Sequence, residues 1–329
     1  MNLKEIIAET YFRPQRFLAN LVDEPAIILI YHRVAELNGD PQMLAVKPEN
    51  FYRQIEYLKK NYNLLSVEEF DHLINGKNKL PKKSILITFD DGYADNAYSA
   101  LPVLESLNTQ ALFFITTSSL NTYEEMWWDQ LDNIFFSENE LPKELSILIS
   151  KTEFNFNTSS VGDKYKAYRT LHPLIKFNKK EIRDDILQAL FKWANISIKS
   201  RNEYRMMNNA ELLKMDRSPF AIIGAHTVTH TPLSILNFSE QFEEIKMSKG
   251  FLESLLNHPV KYFSYPFGNR RDYNKDSVEV CKQLDFNFVC ANFYFQVHRW
   301  TNKYELPRAL VRDWDFEFFK RQINKFFIY

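Results

Sequence analysis

A chain of 329 residues with 41 Lys and Arg against 42 Asp and Glu has a net charge of −1, which excludes a bulk electrostatic pull toward nucleic acid or an anionic membrane. At 45% hydrophobic and 25% charged residues the composition is globular and excludes extended disorder. The 28 Phe and 17 Tyr suit a large core and, equally, stacking surfaces for sugar rings.

The first nine residues, Met1 to Glu9, carry Glu5 and Glu9 where a secretory signal needs an unbroken apolar run. No stretch approaches the ~20 apolar residues of a membrane span. The expected compartment is therefore the cytoplasm, and peripheral membrane contact through an N-terminal amphipathic helix is left open. The two cysteines, Cys281 and Cys290, fall on a helix and a strand and read as reduced, buried thiols, which argues against a cysteine zinc site.

In chain order, an apolar strand is predicted over Ala26–Tyr31 and ends at His32. A helix follows around Phe51–Asn61, then a strand over Ser84–Phe89 that runs into Asp90-Asp91-Gly92. Helical periodicity over Ala94–Leu107 leads to a strand over Ala111–Thr116. From Leu120 to about Asn209 the alternation breaks in a stretch rich in Asn, Lys and Glu that holds Trp127-Trp128-Asp129 and a helical patch at Glu181–Trp193. The strand Phe220–Ala225 then runs into His226-Thr227-Val228-Thr229-His230, and a helix covers Ser239–Leu256. Strand Tyr262–Tyr265 precedes Pro266-Phe267-Gly268, and helix Ser277–Leu284 precedes strands Phe286–Asn292 and Leu306–Val311. No internal repeat stands out.

Strands alternating with helices argue for parallel pairing with crossover connections, in an open sheet or a barrel. Such folds carry their chemistry beyond the C-terminal ends of the strands. Every unusual polar cluster lies at such an end: His32, Asp90 with Asp91, His226 with His230, Phe267 with Gly268, and Arg312 with Asp313. One domain over 1–329 is expected, interrupted by a mostly helical insertion at about 120–210 that would serve as a lid, in substrate recognition or in packing.

Two adjacent carboxylates at the end of an apolar strand are costly unless a metal, a proton or a cation uses them. Past the strand end the chain turns at Gly92, so both can reach one cavity, one to bind a metal and the other to take a proton. The plainer alternative is that one of them caps the helix beginning near Tyr93. His226 and His230, at i and i+4, suit one divalent ion, and a carboxylate with two neutral imidazoles leaves positions open for catalysis.

Thr88-Phe89-Asp90-Asp91-Gly92 followed by His226-Thr227-Val228-Thr229-His230 resembles the polysaccharide deacetylase family, the NodB-homology domain of carbohydrate esterase family 4. The resemblance covers about 25–118 and 220–311, with the insertion outside it, and implies a distorted (β/α) barrel of about seven parallel strands. By position it makes Asp90 the catalytic base and Asp91, His226 and His230 the ligands of one divalent metal, zinc first, with nickel, cobalt, iron(II) or manganese as alternatives. The family's Arg-x-Pro-Tyr-Gly corresponds to a stretch ending Pro266-Phe267-Gly268, so the Phe267 N–H is expected to help hold the oxyanion. Tyr-Pro-Phe-Gly, together with Tyr31-His32-Arg33-Val34, looks more like the branch that acts on poly-N-acetylglucosamine. The arginine that would orient the base is missing there, and Arg308 is the candidate replacement, with a surface role as its alternative. The family's late Leu-x-His has no clean match. His32 is favoured as general acid over His298, against a structural hydrogen-bonding role. His72, His172 and His258 are given no role.

The resemblance implies metal-dependent removal of N-acetyl groups from an acetamido-sugar glycan, or from an activated or lipid-linked sugar precursor in the cytoplasm. Two alternatives stand beside it: a catalytically inactive sugar-binding or assembly protein of a glycan pathway, and a deacylase of another amide or ester.

Overall fold

The computed structural model describes residues 18–122, 124–137, 140–197 and 200–328. The candidate amphipathic helix at the N-terminus lies outside the described residues. No helix among the described residues is long and apolar enough to cross a membrane.

The core is a curved parallel sheet. Its strands are β1 (Ala26–Tyr31), β5 (Ser84–Phe89), β6 (Ala111–Ile115), β9 (Ala221–Ala225), β10 (Tyr262–Ser264), β11 (Phe288–Cys290) and β12 (Ala309–Leu310), in the order β11-β10-β9-β6-β5-β1-β12, and the short β4 (Asn63–Leu64) pairs beside β5. Two further two-residue strands, β2 (Arg33–Val34) and β3 (Ala45–Val46), pair with each other just after β1. β1 and β5 are buried at every position and pair in register from Ala26–Ser84 to Tyr31–Phe89. Their continuous apolar runs are what a parallel strand covered on both faces requires.

The sheet closes through one irregular segment. Leu306 bridges Cys290 of β11, and Ala309–Leu310 pair with Leu29–Ile30 of β1. The expected strand Leu306–Val311 is accordingly broken in the middle. Pro307 has no N–H for a ladder, and the Arg308 N–H bonds the Phe293 carbonyl (3.1 Å) instead. The result is the distorted (β/α) barrel.

Alternate residues of the strands face two cores. Ile27, Leu29, Tyr31, Ile85, Ile87 and Phe89 pack outward under helices such as α1 (Pro48–Asn61), whose Phe51, Gln54, Ile55 and Leu58 form one buried stripe. Ile28, Leu86, Leu112, Phe114 and Phe288 face the barrel interior. Helix α2 (Val67–Asn75) plugs its N-terminal end, with Phe70 edge-on to Phe288 at 5.4 Å. The helix expected at Ala94–Leu107 opens as a π-turn over Asn96–Ala100 before α3 (Leu101–Ser106), where Pro102 supplies no N–H to the regular helical pattern.

The insertion is mostly helical, with α4 (Trp127–Phe136), α5 (Val161–Lys176) and α6 (Lys180–Ala194) around its own apolar cluster. It also holds an antiparallel hairpin, β7 (Glu144–Ile149) with β8 (Thr152–Asn157), that the sequence reading did not include. Leu145, Ile147 and Ile149 alternate inward as a strand should. The turn, however, is Ser150-Lys151, both at positive φ, without the Asn-Gly or Asp-Gly that usually marks such a hairpin. After the insertion come α7 (Asn209–Asp216), α8 (Phe238–Leu256), α9 (Lys275–Gln283) and α10 (Phe316–Ile328).

At Gly224, in the middle of β9, a Cβ would meet the Phe114 ring at 2.7 Å and the Tyr262 carbonyl at 3.1 Å. Gly224→Ala is expected to destabilise the barrel by about 1–3 kcal/mol through overpacking, read as a lower melting temperature without loss of native secondary structure.

Candidate active site

The inner face of β5 grows more polar toward its C-terminal end, from Leu86 through Thr88 to Asp90. Asp90 is 3% exposed and would be a costly charge alone. It is met by Arg308, which donates from Nη1 to Oδ1 and from Nη2 to Oδ2, both at 2.7 Å. The guanidinium is itself fixed by the Ala291 carbonyl (2.8 Å), Thr88 Oγ1 (3.1 Å) and Ser264 Oγ (2.7 Å). Ser264 Oγ also lies 3.3 Å from Asp90 Oδ2. Burial alone would raise the Asp90 carboxyl. Arg308, followed by His226, holds it below its ordinary value, so it is a carboxylate at neutral pH. Arg308 is thus buried against Asp90, and its surface alternative is set aside.

Asp91 takes a different direction because the chain reverses there. It sits at φ 77°, and Gly92 N–H bonds back to the Asp90 carbonyl at 3.0 Å, a γ-turn. Gly92 follows at φ 89°, which only glycine adopts without strain. Asp91 Oδ1 lies 3.6 Å from His226 Nε2 and 3.2 Å from His230 Nε2, and the two Nε2 atoms are 3.2 Å apart. Metal–ligand bonds of about 2.0–2.1 Å at a tetrahedral angle place donor atoms about 3.3 Å apart, so these three atoms form one face of such a site. His226 Nδ1 sits 2.7 Å from the Ser264 carbonyl, which takes its N–H and leaves Nε2 with the lone pair. Burial lowers the His230 imidazole to about 4 against the pull of Asp91, so it is neutral at pH 7. The residues fit a divalent ion, and Asp91, His226 and His230 would hold it.

These groups line a cleft of about 270 Å³ at the C-terminal end of the strands. His32 joins it from the end of β1, nearly buried, with Nδ1 unpartnered. Burial lowers its imidazole, while Asp91 and Asp90 pull the other way. His298 lies elsewhere: Val297 bridges Ala26 at the opposite end of β1, and His298 stacks on Trp300 with Asp23 beside it at 3.8 Å. Phe267 occupies a second γ-turn, at φ 59° with Gly268 N–H on the Pro266 carbonyl. No acceptor within the described residues meets the Phe267 N–H, which leaves it available to a ligand.

The cleft also holds residues that sequence reasoning did not single out. Trp128 of the insertion packs edge-on to His230 at 5.0 Å, oriented by its Nε1 donating to Tyr93 Oη (2.8 Å), which donates in turn to Asp129 (2.6 Å). Lys176, at the end of α5, pairs with Asp272 at 2.6 Å and lies 4.1 Å from the Phe267 ring centre. His172, given no role from sequence, lines the cleft as well, its imidazole lowered to about 4 by burial and by Lys176. Only the Trp127-Trp128 pair was visible beforehand as unusual, because the other side chains are placed by an insertion without a motif.

The polysaccharide deacetylase family profile matches residues 77–142 and 165–289, more than half of the chain. The chain belongs to the polysaccharide deacetylase family. YxkH of Bacillus subtilis is 31% identical over 105 residues, which is 32% of this chain and 36% of that protein. The poly-β-1,6-N-acetyl-D-glucosamine N-deacetylase of Escherichia coli K12 is 24% identical over 34% of this chain, so these two matches span about a third and under a fifth of those proteins. The enzyme of the same name from Staphylococcus aureus MRSA252 is 23% identical over 323 residues, covering 91% of this chain and 87% of that protein. Among solved structures, IcaB from Ammonifex degensii superposes with a TM-score of 0.60 at 17% identity, covering 92% of this chain and 97% of that one. The Streptococcus pyogenes deacetylase PplD in complex with acetate gives 0.57, also at 17%, over 88% and 94%. At these identities the structures establish a shared fold.

Arg308→Met removes the guanidinium that pairs with Asp90. We expect a loss of about 3–5 kcal/mol from the buried carboxylate left behind. Because Arg308 depresses the Asp90 value, its stabilisation is present above the unfolded value near 3.9 and is lost as pH falls through the folded one. In the variant the stability deficit relative to wild type shrinks as pH falls, because a protonated Asp90 needs no cation, while the acid limb of any pH–rate profile that depends on Asp90 moves to higher pH. Urea melts from pH 3 to 8 would show the first, and a deficit that does not change with pH would contradict the assignment.

Proposed function

We propose that the protein is a metal-dependent N-deacetylase acting on an N-acetylglucosamine-containing surface polysaccharide or its cytoplasmic precursor. The observation that carries this reading is one buried carboxylate, Asp90, locked to Arg308 beside a triangle of three donor atoms, with all five side chains at one end of the barrel. The full-length similarity to a poly-β-1,6-N-acetyl-D-glucosamine N-deacetylase supports the choice of sugar. An intact ligand set and ion pair weigh against an inactive binding protein.

When bound at Asp91, His226 and His230, a divalent ion (zinc first) supplies Lewis-acid polarisation of the acetyl carbonyl and lowers the pKa of a water. Asp90 accepts the proton as water attacks the carbonyl carbon, and Arg308 keeps the carboxylate ionised and aimed until then. The unpartnered Phe267 N–H donates to the oxyanion. His32, entering the cycle as imidazolium, delivers its proton to the sugar nitrogen, so that the amine leaves neutral and acetate is released, and the proton taken up by Asp90 returns the site to its starting state. The buried His32 imidazole makes a strong acid once protonated.

The test is acetate release from N-acetylglucosamine oligosaccharides by chelator-treated protein resupplied with zinc, cobalt, nickel, iron(II) or manganese. Activity is expected to vanish with chelator and return with one of these ions. Asp90→Asn should lower kcat by about 10²–10⁴-fold, and His32→Gln by about 10²-fold with metal content unchanged. Release of acetate that survives both chelation and Asp90→Asn would refute the mechanism.

A further inference from the structure

The loop that carries His230 is gripped from outside the cleft by two charged side chains of opposite sign. Beyond β9 the chain passes through Thr227 at φ 63° and His230 at φ 53°, so its peptide groups leave the ladder. Glu244, on α8, takes the N–H groups of this loop: Oε2 accepts from Val228 and Thr229, each at 3.0 Å, and Oε1 accepts from Thr229 Oγ1 at 2.7 Å. Arg183, on α6 of the insertion, takes the carbonyls: Nη2 donates to Thr229 at 2.8 Å and Nη1 to His230 at 3.4 Å. No other donor meets those two carbonyls among the described residues.

Arg183 is 2% exposed, its Nε meets no acceptor, and no carboxylate lies within ion-pair distance of it among the described residues. Burying a guanidinium with no carboxylate in direct contact is expensive, even with Asp184, Glu244 and Glu181 acting on it from further off, and packing alone would be served more cheaply by an apolar residue. What a planar fork supplies that an apolar residue cannot is two fixed donors on consecutive carbonyls. One of those carbonyls belongs to His230 itself, whose ring packs edge-on with Trp128 of the same insertion.

We propose that Arg183 and Glu244 form a clamp that presets His230 for metal capture, which makes the insertion a positioning element of the metal site. This rests on the reading of Asp91, His226 and His230 as ligands. Arg183 acts through the backbone of a ligand and touches neither substrate nor reacting atoms, so it is a positioning residue.

The experiment is a cobalt(II) titration of chelator-stripped protein followed by visible absorption, alongside the melting temperature of the stripped protein. Arg183→Met should weaken cobalt binding by about 10–100-fold, the usual cost of losing a group that orients a ligand. Arg183→Lys should recover part of it, because one ammonium can still reach one carbonyl. A purely packing role predicts a lower melting temperature with cobalt affinity at the wild-type value, and that result overturns the proposal. If Arg183→Met does not fold, Glu244→Gln decides: at least a several-fold loss of cobalt affinity supports the clamp, and wild-type affinity overturns it. Wild-type protein that binds no cobalt would instead refute the ligand reading itself, which keeps the two failures distinct.

Discussion

The Asp90–Arg308 ion pair is the constraint on which the site depends. It joins the end of β5 to the segment that closes the barrel, across 218 residues of sequence, and it sits where both side chains are almost wholly dry. Neither charge could remain there alone. Their mutual satisfaction fixes the irregular Leu306–Leu310 segment against β1 and β11 and, through Ser264, reaches the end of β10. The same Ser264 contributes its carbonyl to His226 Nδ1. One buried pair therefore connects the proposed base, barrel closure and the tautomer of a proposed metal ligand.

Two neighbouring carboxylates need different environments if they are to do different work. The structure separates them by backbone and not by distance. Asp90 continues the inward face of its strand and meets a fixed cation, whereas Asp91 is turned away by a γ-turn toward two imidazoles. Burial would raise both carboxyls, yet both are held down, one by Arg308 and the other by the His226 and His230 imidazoles beside it. Phe267 sits in a second γ-turn across the cleft. Backbone strain of this kind costs about 1–3 kcal/mol per residue, and here it falls on residues whose placement the proposed chemistry needs.

Much of this was legible in the sequence because the physics is local. Apolar runs of β1 and β5 are long enough to be read as doubly covered strands, and the polar residues that interrupt them at one end mark the chemical face. His32, Asp90, Asp91, His226, His230 and Phe267 lie at such positions, Arg308 was named as the substitute for the arginine missing from the family's motif, and the structure brings all seven to one end of the barrel. What was not legible depends on long-range contact. His298 stood second to His32 on paper, and the pairing of Val297 with Ala26 puts it at the opposite end of β1. The β7–β8 hairpin turns through Ser150-Lys151, which carry no turn signature. Lys176, His172 and Arg183 lie on helices whose periodicity reports their own core and says nothing about the cleft.

The departure from the family's third motif also resolves into geometry. Aligned on Pro266-Phe267-Gly268, the position where an arginine would stand is occupied by Ser264, too short to carry a charge to Asp90. Arg308 fills that space from the neighbouring segment, and Ser264 Oγ accepts from its Nη2 while lying against the same carboxylate. A second arginine at Ser264 would bring like charge beside Arg308 in a dry interior, which is strongly unfavourable. The serine and the displaced cation are therefore one arrangement: the short side chain leaves room for the guanidinium and then hydrogen-bonds to it. A motif that looks degraded in one dimension is complete in three, because the carboxylate requires a cation at its edge and is indifferent to the strand that provides it.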